Sequence, residues 1–188
     1  CHCAPVLRGI KISNLVSCSN QAYPQLKKEV EFLDRRFEPF GLKCKILCEC
    51  QKFALVFIYS EKKLGSFLSL HENEHYLEKS GYKNAHKNAV DLDAMLLELS
   101  LRLKSASCNG FPHEIGIFLG YPLEDVIGFE ENHGENFKYS GYWKVYGDLE
   151  NSKRIFKSYD QCGKKCKELA MKGFSIEEVI NYADLKSA

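Results

Sequence analysis

The chain has 188 residues, of which 45% are hydrophobic and 27% charged, enough for one domain (residues 1–188) with a proper core. Its formal net charge is +1, and Lys and Arg are scattered among Asp and Glu, so no strong field draws nucleic acid or anionic lipid. The longest apolar run, Phe53 to Ile58, is far shorter than the ~20 residues a membrane-spanning helix needs.

An odd count of nine cysteines leaves at least one thiol unpaired and fits free thiols in a reducing compartment. The first residue is Cys1 and no charged-then-apolar leader opens the chain, so a cytoplasmic protein is expected.

Pro24 opens the first strong helix pattern, in which Leu26, Val30, Leu33 and Phe37 recur at helical spacing until Pro39 and Gly41 stop it. Residues 42–60 read as a β-hairpin. In its first half Cys44, Ile46 and Cys48 alternate with Lys43, Lys45 and Leu47. Its second half, Phe53 to Tyr59, is apolar on both faces, as a central strand would be.

Ser60 stands where it can cap a following helix, and residues 88–104 form another, with Leu92, Leu96, Leu99 and Leu103 on one face. Cys108 to Gly110 reads as a loop and His113 to Leu119 as a short strand. Pro122, Glu124 and Asp125 mark a helix start, and His133-Gly134 its end. Gly141 to Tyr146 reads as a strand with Trp143 and Val145 on one face and Tyr142, Lys144 and Tyr146 on the other. Residues 149–172 carry the clearest helical stripe (Ile155, Tyr159, Cys162, Cys166, Leu169), and Ser175 with Glu178 fits a capping box for a last short helix. The expected fold is α+β: a small antiparallel or mixed sheet of about four strands with helices packed on it.

Several clusters could carry chemistry. His71-Glu72-Asn73-Glu74-His75 matches H-E-x-x-H, in which two His one helical turn apart share a zinc ion with the Glu as base, and Glu98 follows downstream as a third ligand. The pentapeptide is wholly polar, however, which a solvated helix face explains better. Cys1-His2-Cys3 offers soft ligands for a metal, or a nucleophile at Cys3 if a base lies near. His113, at the mouth of the expected strand, can act as base or ligand, with Glu114 beside it. Lys144 between Tyr142 and Tyr146 suits either a polar, cofactor-binding pocket that holds an anion or a solvent-facing strand surface. Cys44, Cys48, Cys162 and Cys166 lie on apolar stripes and read as core. The chain contains no P-loop, no G-x-G-x-x-G and no serine nucleophile elbow.

Three blocks together, His2 to Lys11, Phe111 to Phe129 and Gly141 to Asp148, with Phe156, Tyr159 and Cys162 of the long helix, resemble a family of uncharacterised proteins from clostridia and related anaerobes, catalogued as domain of unknown function 3793. The likeness runs from His2 to about Cys166, and His2, Cys3, Pro5, His113, Glu114 and Lys144 stand at the family's characteristic positions, whereas the H-E-x-x-H pentapeptide lies outside the pattern. The resemblance implies no defined activity. It implies an association with iron and redox physiology, in the company of flavodoxin-like or iron-uptake genes.

Three readings follow. In the first, the protein handles a metal ion or haem through His2, Cys3 and His113, with Glu114 as a further ligand. In the second, it is a hydrolase or transferase in which Cys3 is nucleophile, His113 base and Glu114 orienting group, in the papain-like chain order. In the third, it is an adaptor that meets a flavodoxin-like or iron-related protein partner through the aromatics of residues 141–146.

Overall fold

The computed structural model describes residues 2–19, 23–49, 53–82, 91–105 and 111–182. In it the doubly apolar run becomes the middle strand of an antiparallel sheet. β1 (Ser13–Ser19) and β2 (Leu42–Glu49) flank β3 (Phe53–Ser60) in the order β1-β3-β2. Successive residues of β3 point to opposite faces, so one strand serves two cores. Phe57 and Tyr59, with Leu55 at the margin, enter the larger core. Val56 and Ile58 enter the other.

The larger core is closed by α3 (Glu61–Leu68), α4 (His71–Lys79), α5 (Leu92–Lys104), α6 (Ile115–Phe118) and α7 (Leu123–Glu131). Its most buried side chains include Phe57, Leu64, Leu99 and Phe118, each with 0% exposure. Burial of one such side chain stabilises by roughly 1.5–3 kcal/mol. The opposite face is covered by α1 (Ala4–Leu7), α2 (Tyr23–Phe37) and α9 (Ile176–Asn181), through Val6, Val30, Phe37 and Ile180. The long α8 (Leu149–Met171) clamps α1 and α9 with Cys162, Cys166 and Leu169 against Ala4 and Val179. Arg8 ties the same corner: its guanidinium donates to the carbonyls of Val179, Ile180 and Tyr182 at the end of α9.

The helices expected from Pro24, over 88–104, after Pro122 and over 149–172 are all present, the second as α5 from Leu92 with residues 88–90 outside the described residues, and so is the 42–60 hairpin. Asp91 and Asp148 cap α5 and α8, and Ser175 with Glu178 forms the capping box of α9. Residues 108–110 lie outside the described residues.

Three expectations need correction. His113 to Leu119 contains a helix, α6, not a strand. Ile115, Gly116, Ile117 and Phe118 are all buried, and an apolar run buried on every side shows neither period. Gly116 lets α7 sit directly on the α6 backbone, since a Cβ there would lie 2.7 Å from Val126 Cγ2.

The face shared by Cys44, Ile46 and Cys48 is broken by a bulge between Ile46 and Cys48. Cys44 and Ile46 stay with the α2 side, and Leu47 and Cys48 both turn into the larger core. The strand expected over 141–146 shrinks to β5 (Lys144–Val145), which pairs with β4 (Tyr139–Ser140) in a small separate hairpin. No local pattern marks β1. It is an edge strand rich in Ser and Asn, and only its pairing with β3 makes it one.

Candidate functional site: an aromatic pocket and a thiol corner

The β4–β5 hairpin is held by one carboxylate. Asp125, in the first turn of α7, is 2% exposed. Its Oδ2 accepts the Trp143 indole N–H at 2.6 Å, and its Oδ1 accepts the backbone N–H groups of Tyr146 and Gly147 at 2.7 and 2.8 Å. This places Trp143 between Tyr121, stacked at 5.0 Å, and Phe156, edge-on at 4.5 Å. Val145, Phe156 and Tyr159 complete the cluster beneath it.

Between the hairpin and α6–α7 lies a pocket of about 350 Å³. Ile115, Val126, Phe129 and Trp143 supply apolar wall, while His113 and Lys144 bring polar groups to it. His113 is exposed, with its ring 5.2 Å from that of Phe129. Lys144 Nζ donates to the Gly134 carbonyl at 2.6 Å and lies 4.8 and 5.6 Å from the Phe137 and Phe129 ring centroids. No carboxylate pairs with it among the described residues. Gly134 takes φ +76° and follows His133 at φ +52°, a left-handed turn that brings this carbonyl to the ammonium. His113 and Phe111 also border a second, polar depression of about 590 Å³ lined by Arg102, Glu98 and Glu130.

Glu114 sits beside His113 in sequence but its carboxylate is engaged elsewhere. It accepts from Arg102 at 2.9 Å and from the Tyr82 hydroxyl at 3.2 Å. Arg102 also lies 4.3 Å over the Tyr82 ring and pairs with Glu98. Burial, then the nearby Glu114 charge, pushes the Tyr82 phenol far up, so it stays a proton donor. The arrangement is a buried bracket that joins α5 to the entry of α6.

Of Tyr142, Lys144 and Tyr146, only Lys144 lines the aromatic pocket. Tyr142 packs on Phe156 and Tyr159 and donates to Asp160 at 3.0 Å. Tyr146 lies against Gly128 and donates to the Glu135 carbonyl.

The amino-terminal residues form a different corner. Cys3 is half-buried at the start of α1, next to β1. Asn14 Nδ2 reaches Cys3 Sγ at 3.6 Å and the His2 carbonyl at 3.3 Å. Asn14 Oδ1 accepts from Lys11 Nζ at 2.8 Å. Lys11 is 5% exposed, and its ammonium faces the rings of Tyr121 and Tyr159 at 5.8 and 6.0 Å. Burial lowers Lys11 to about 8, opposed by attraction to a Cys3 thiolate. Cys3 packs with Asn14 and the apolar residues between α1, α2 and the sheet, whereas the His113 ring lies against Phe129. Nothing in the local sequence pattern singles out Asn14, and little marks Lys11. A lone lysine between Ile10 and Ile12 was the signal available.

His71 and His75 stack 6.4 Å apart on α4, both exposed, while Asn73 between them is buried. Among the described residues, no group of three or more His, Cys, Asp or Glu side chains is placed to hold a metal ion. The described cysteines, Cys3, Cys18, Cys44, Cys48, Cys162 and Cys166, are all free thiols. Among the described residues, no helix is long and apolar enough to cross a membrane.

Fold and site together define an α+β protein whose antiparallel sheet is covered by helices on both faces, with an aromatic pocket beside its small hairpin. The chain belongs to the family described as "Protein of unknown function (DUF3793)", whose model matches residues 1–180. No curated protein and no solved structure matches it.

Proposed function

We propose that this protein binds a small, largely apolar molecule carrying an anionic group in the pocket between α6, α7 and the β4–β5 hairpin. The observation that carries this reading is an aromatic pocket with an ammonium at its wall that has no carboxylate partner among the described residues. Phe129 and Trp143 offer flat apolar surface, and Lys144 has two N–H groups left after its bond to Gly134. A ligand carboxylate meeting Lys144 gains a charge-assisted hydrogen bond, worth roughly 1.5–3 kcal/mol. His113, at the rim shared with the polar depression, contacts whatever part of the ligand projects outward.

Isothermal titration calorimetry with 1-naphthoate and its neutral counterpart 1-naphthylmethanol tests the reading. Naphthoate should bind at least tenfold more tightly, as 1.4 kcal/mol per factor of ten requires. Lys144→Gln should abolish the difference between the two while leaving the circular dichroism spectrum unchanged. Absence of saturable heat with both compounds, or equal affinities in the wild type, would count against it.

A further inference from the structure

We infer that the cavity where α1, α3 and α9 meet binds a small oxyanion of the phosphate class, held by Arg8, Lys63 and the start of α3. The cavity measures about 240 Å³ and shares no lining residue with the aromatic pocket. Arg8, Ser60, Lys63 and Asn181 bring polar side chains to it. No aspartate or glutamate lines it among the described residues.

Arg8 is only 8% exposed. Its guanidinium gives three N–H groups to the carbonyls of Val179, Ile180 and Tyr182. Those carbonyls solvate the charge without neutralising it, and no carboxylate pairs with it among the described residues. The Nε atom is buried and has no hydrogen-bond partner among the described residues. A buried donor left unmade costs the desolvation of that group, which an anionic oxygen would offset with a charge-assisted bond.

Lys63 supplies the second charge. Its exposed ammonium donates to the carbonyl of Gly9, the residue after Arg8, and keeps two N–H groups. Gly9 takes φ +71°, so the chain turns at once after α1 and both cations reach one cavity. Ser60 stands at the N-cap of α3, yet its side chain makes no capping hydrogen bond. Its hydroxyl is therefore not spent on the helix. The eight residues of α3 add the partial positive charge of a helix start. Glu61, in that first turn, does not line the cavity.

Charge and shape select the occupant. Two cations and a helix start suit a dianion, and the planar fork of an arginine pairs well with the oxygens of a phosphate. A carboxylate brings one charge only. Lys63 and Asn181 are exposed, so the site opens to solvent and the organic part of a phosphomonoester can project outward.

Isothermal titration calorimetry of the full chain with inorganic phosphate at pH 7.5, against sodium chloride of matched ionic strength, tests the assignment. Phosphate should bind one to one with a Kd below about 5 mM, and chloride should give no saturable heat. Lys63→Gln, at an exposed position, should weaken phosphate at least fivefold. Arg8→Lys keeps the charge but not the Nε–H, and should weaken it at least threefold. Lys144→Gln, in the aromatic pocket, should bind phosphate as the wild type does, so the two sites stand or fall separately. Glycerol 3-phosphate is the second probe: tighter binding than phosphate assigns the site to a phosphomonoester, weaker binding to the free ion. Absence of saturable phosphate binding in the wild type overturns the proposal. So does a folded Lys63→Gln chain that binds phosphate as tightly as the wild type, whether or not Arg8→Lys folds.

Discussion

Replacing Asp125 with Asn removes one charge and almost no volume, and should cost the protein about 3 kcal/mol. Asp125 accepts an indole N–H and two backbone N–H groups, all within 2.6–2.8 Å, at a position 2% exposed. An asparagine has one acceptor oxygen. If that oxygen serves Tyr146 and Gly147, its NH2 group faces the Trp143 indole, donor against donor. If the amide flips, the NH2 faces both backbone donors, which is worse. In the better arrangement the buried indole N–H loses its partner, at roughly 1–3 kcal/mol. The two backbone bonds fall from charged to neutral strength, at roughly 0.5–1 kcal/mol each. For a chain of this length, about 3 kcal/mol corresponds to a fall in Tm of roughly 6–12 °C. Trp143 is the only tryptophan, so urea unfolding followed by its fluorescence reports from the site itself. In the Trp143→Phe background, followed by far-UV circular dichroism, the donor clash is gone. There Asp125→Asn should cost at least about 1 kcal/mol less than in the wild type. A cost below about 0.5 kcal/mol for Asp125→Asn, or strict additivity with Trp143→Phe, would refute the reasoning.

Within the H-E-x-x-H pentapeptide the buried residue should matter more than the histidines. Asn73→Ala loses a 2.9 Å bond to the Phe67 carbonyl at a position 1% exposed and should cost about 1–2 kcal/mol, while the exposed His71→Ala, His75→Ala pair should stay within about 0.5 kcal/mol in the same thermal melts. Lys11 should make stability depend on pH. With its folded-state pKa near 8 against 10.5, the unfolded chain holds this proton more firmly between those values. The penalty is therefore complete below pH 8 and is relieved as pH rises. Stability of the wild type relative to Lys11→Met should grow by about 1–2 kcal/mol from pH 7.5 to 9.5. Tyr121 and Tyr159, pushed up to about 12 by burial, act in the opposite sense above pH 10, which sets the upper end of the comparison. A difference that stays flat across the window would show that Lys11 is not desolvated.

The local pattern of the chain was sufficient for the elements that carry their own signal. The α2 stripe, the doubly apolar β3, the capped α8 and the Ser175–Glu178 box each depend on residues a few positions apart, and each is present. Some residues of the aromatic pocket and of the amino-terminal corner were noticeable for the same reason: His113, Lys144 and Cys3 stand out by residue type. Their partners were not. Cys3 meets Asn14, which in turn holds Lys11, only because α1 folds back onto β1, and Glu114 turns to Arg102 and Tyr82, away from its neighbour in sequence.

By itself, then, the sequence determined an α+β fold, its family, and the residue types from which a site could be made. Tertiary structure alone decided that Ile115 to Phe118 coils as a helix, that a bulge sends Cys48 into a different core from Cys44, and that β1 exists. It also decided that Asp125, unremarkable in the first turn of a helix, becomes the anchor of the β4–β5 hairpin. The physical reason is common to all of these. A short apolar run, an edge strand and a buried polar group have no periodicity of their own, and their conformation is set by what the rest of the chain packs against them.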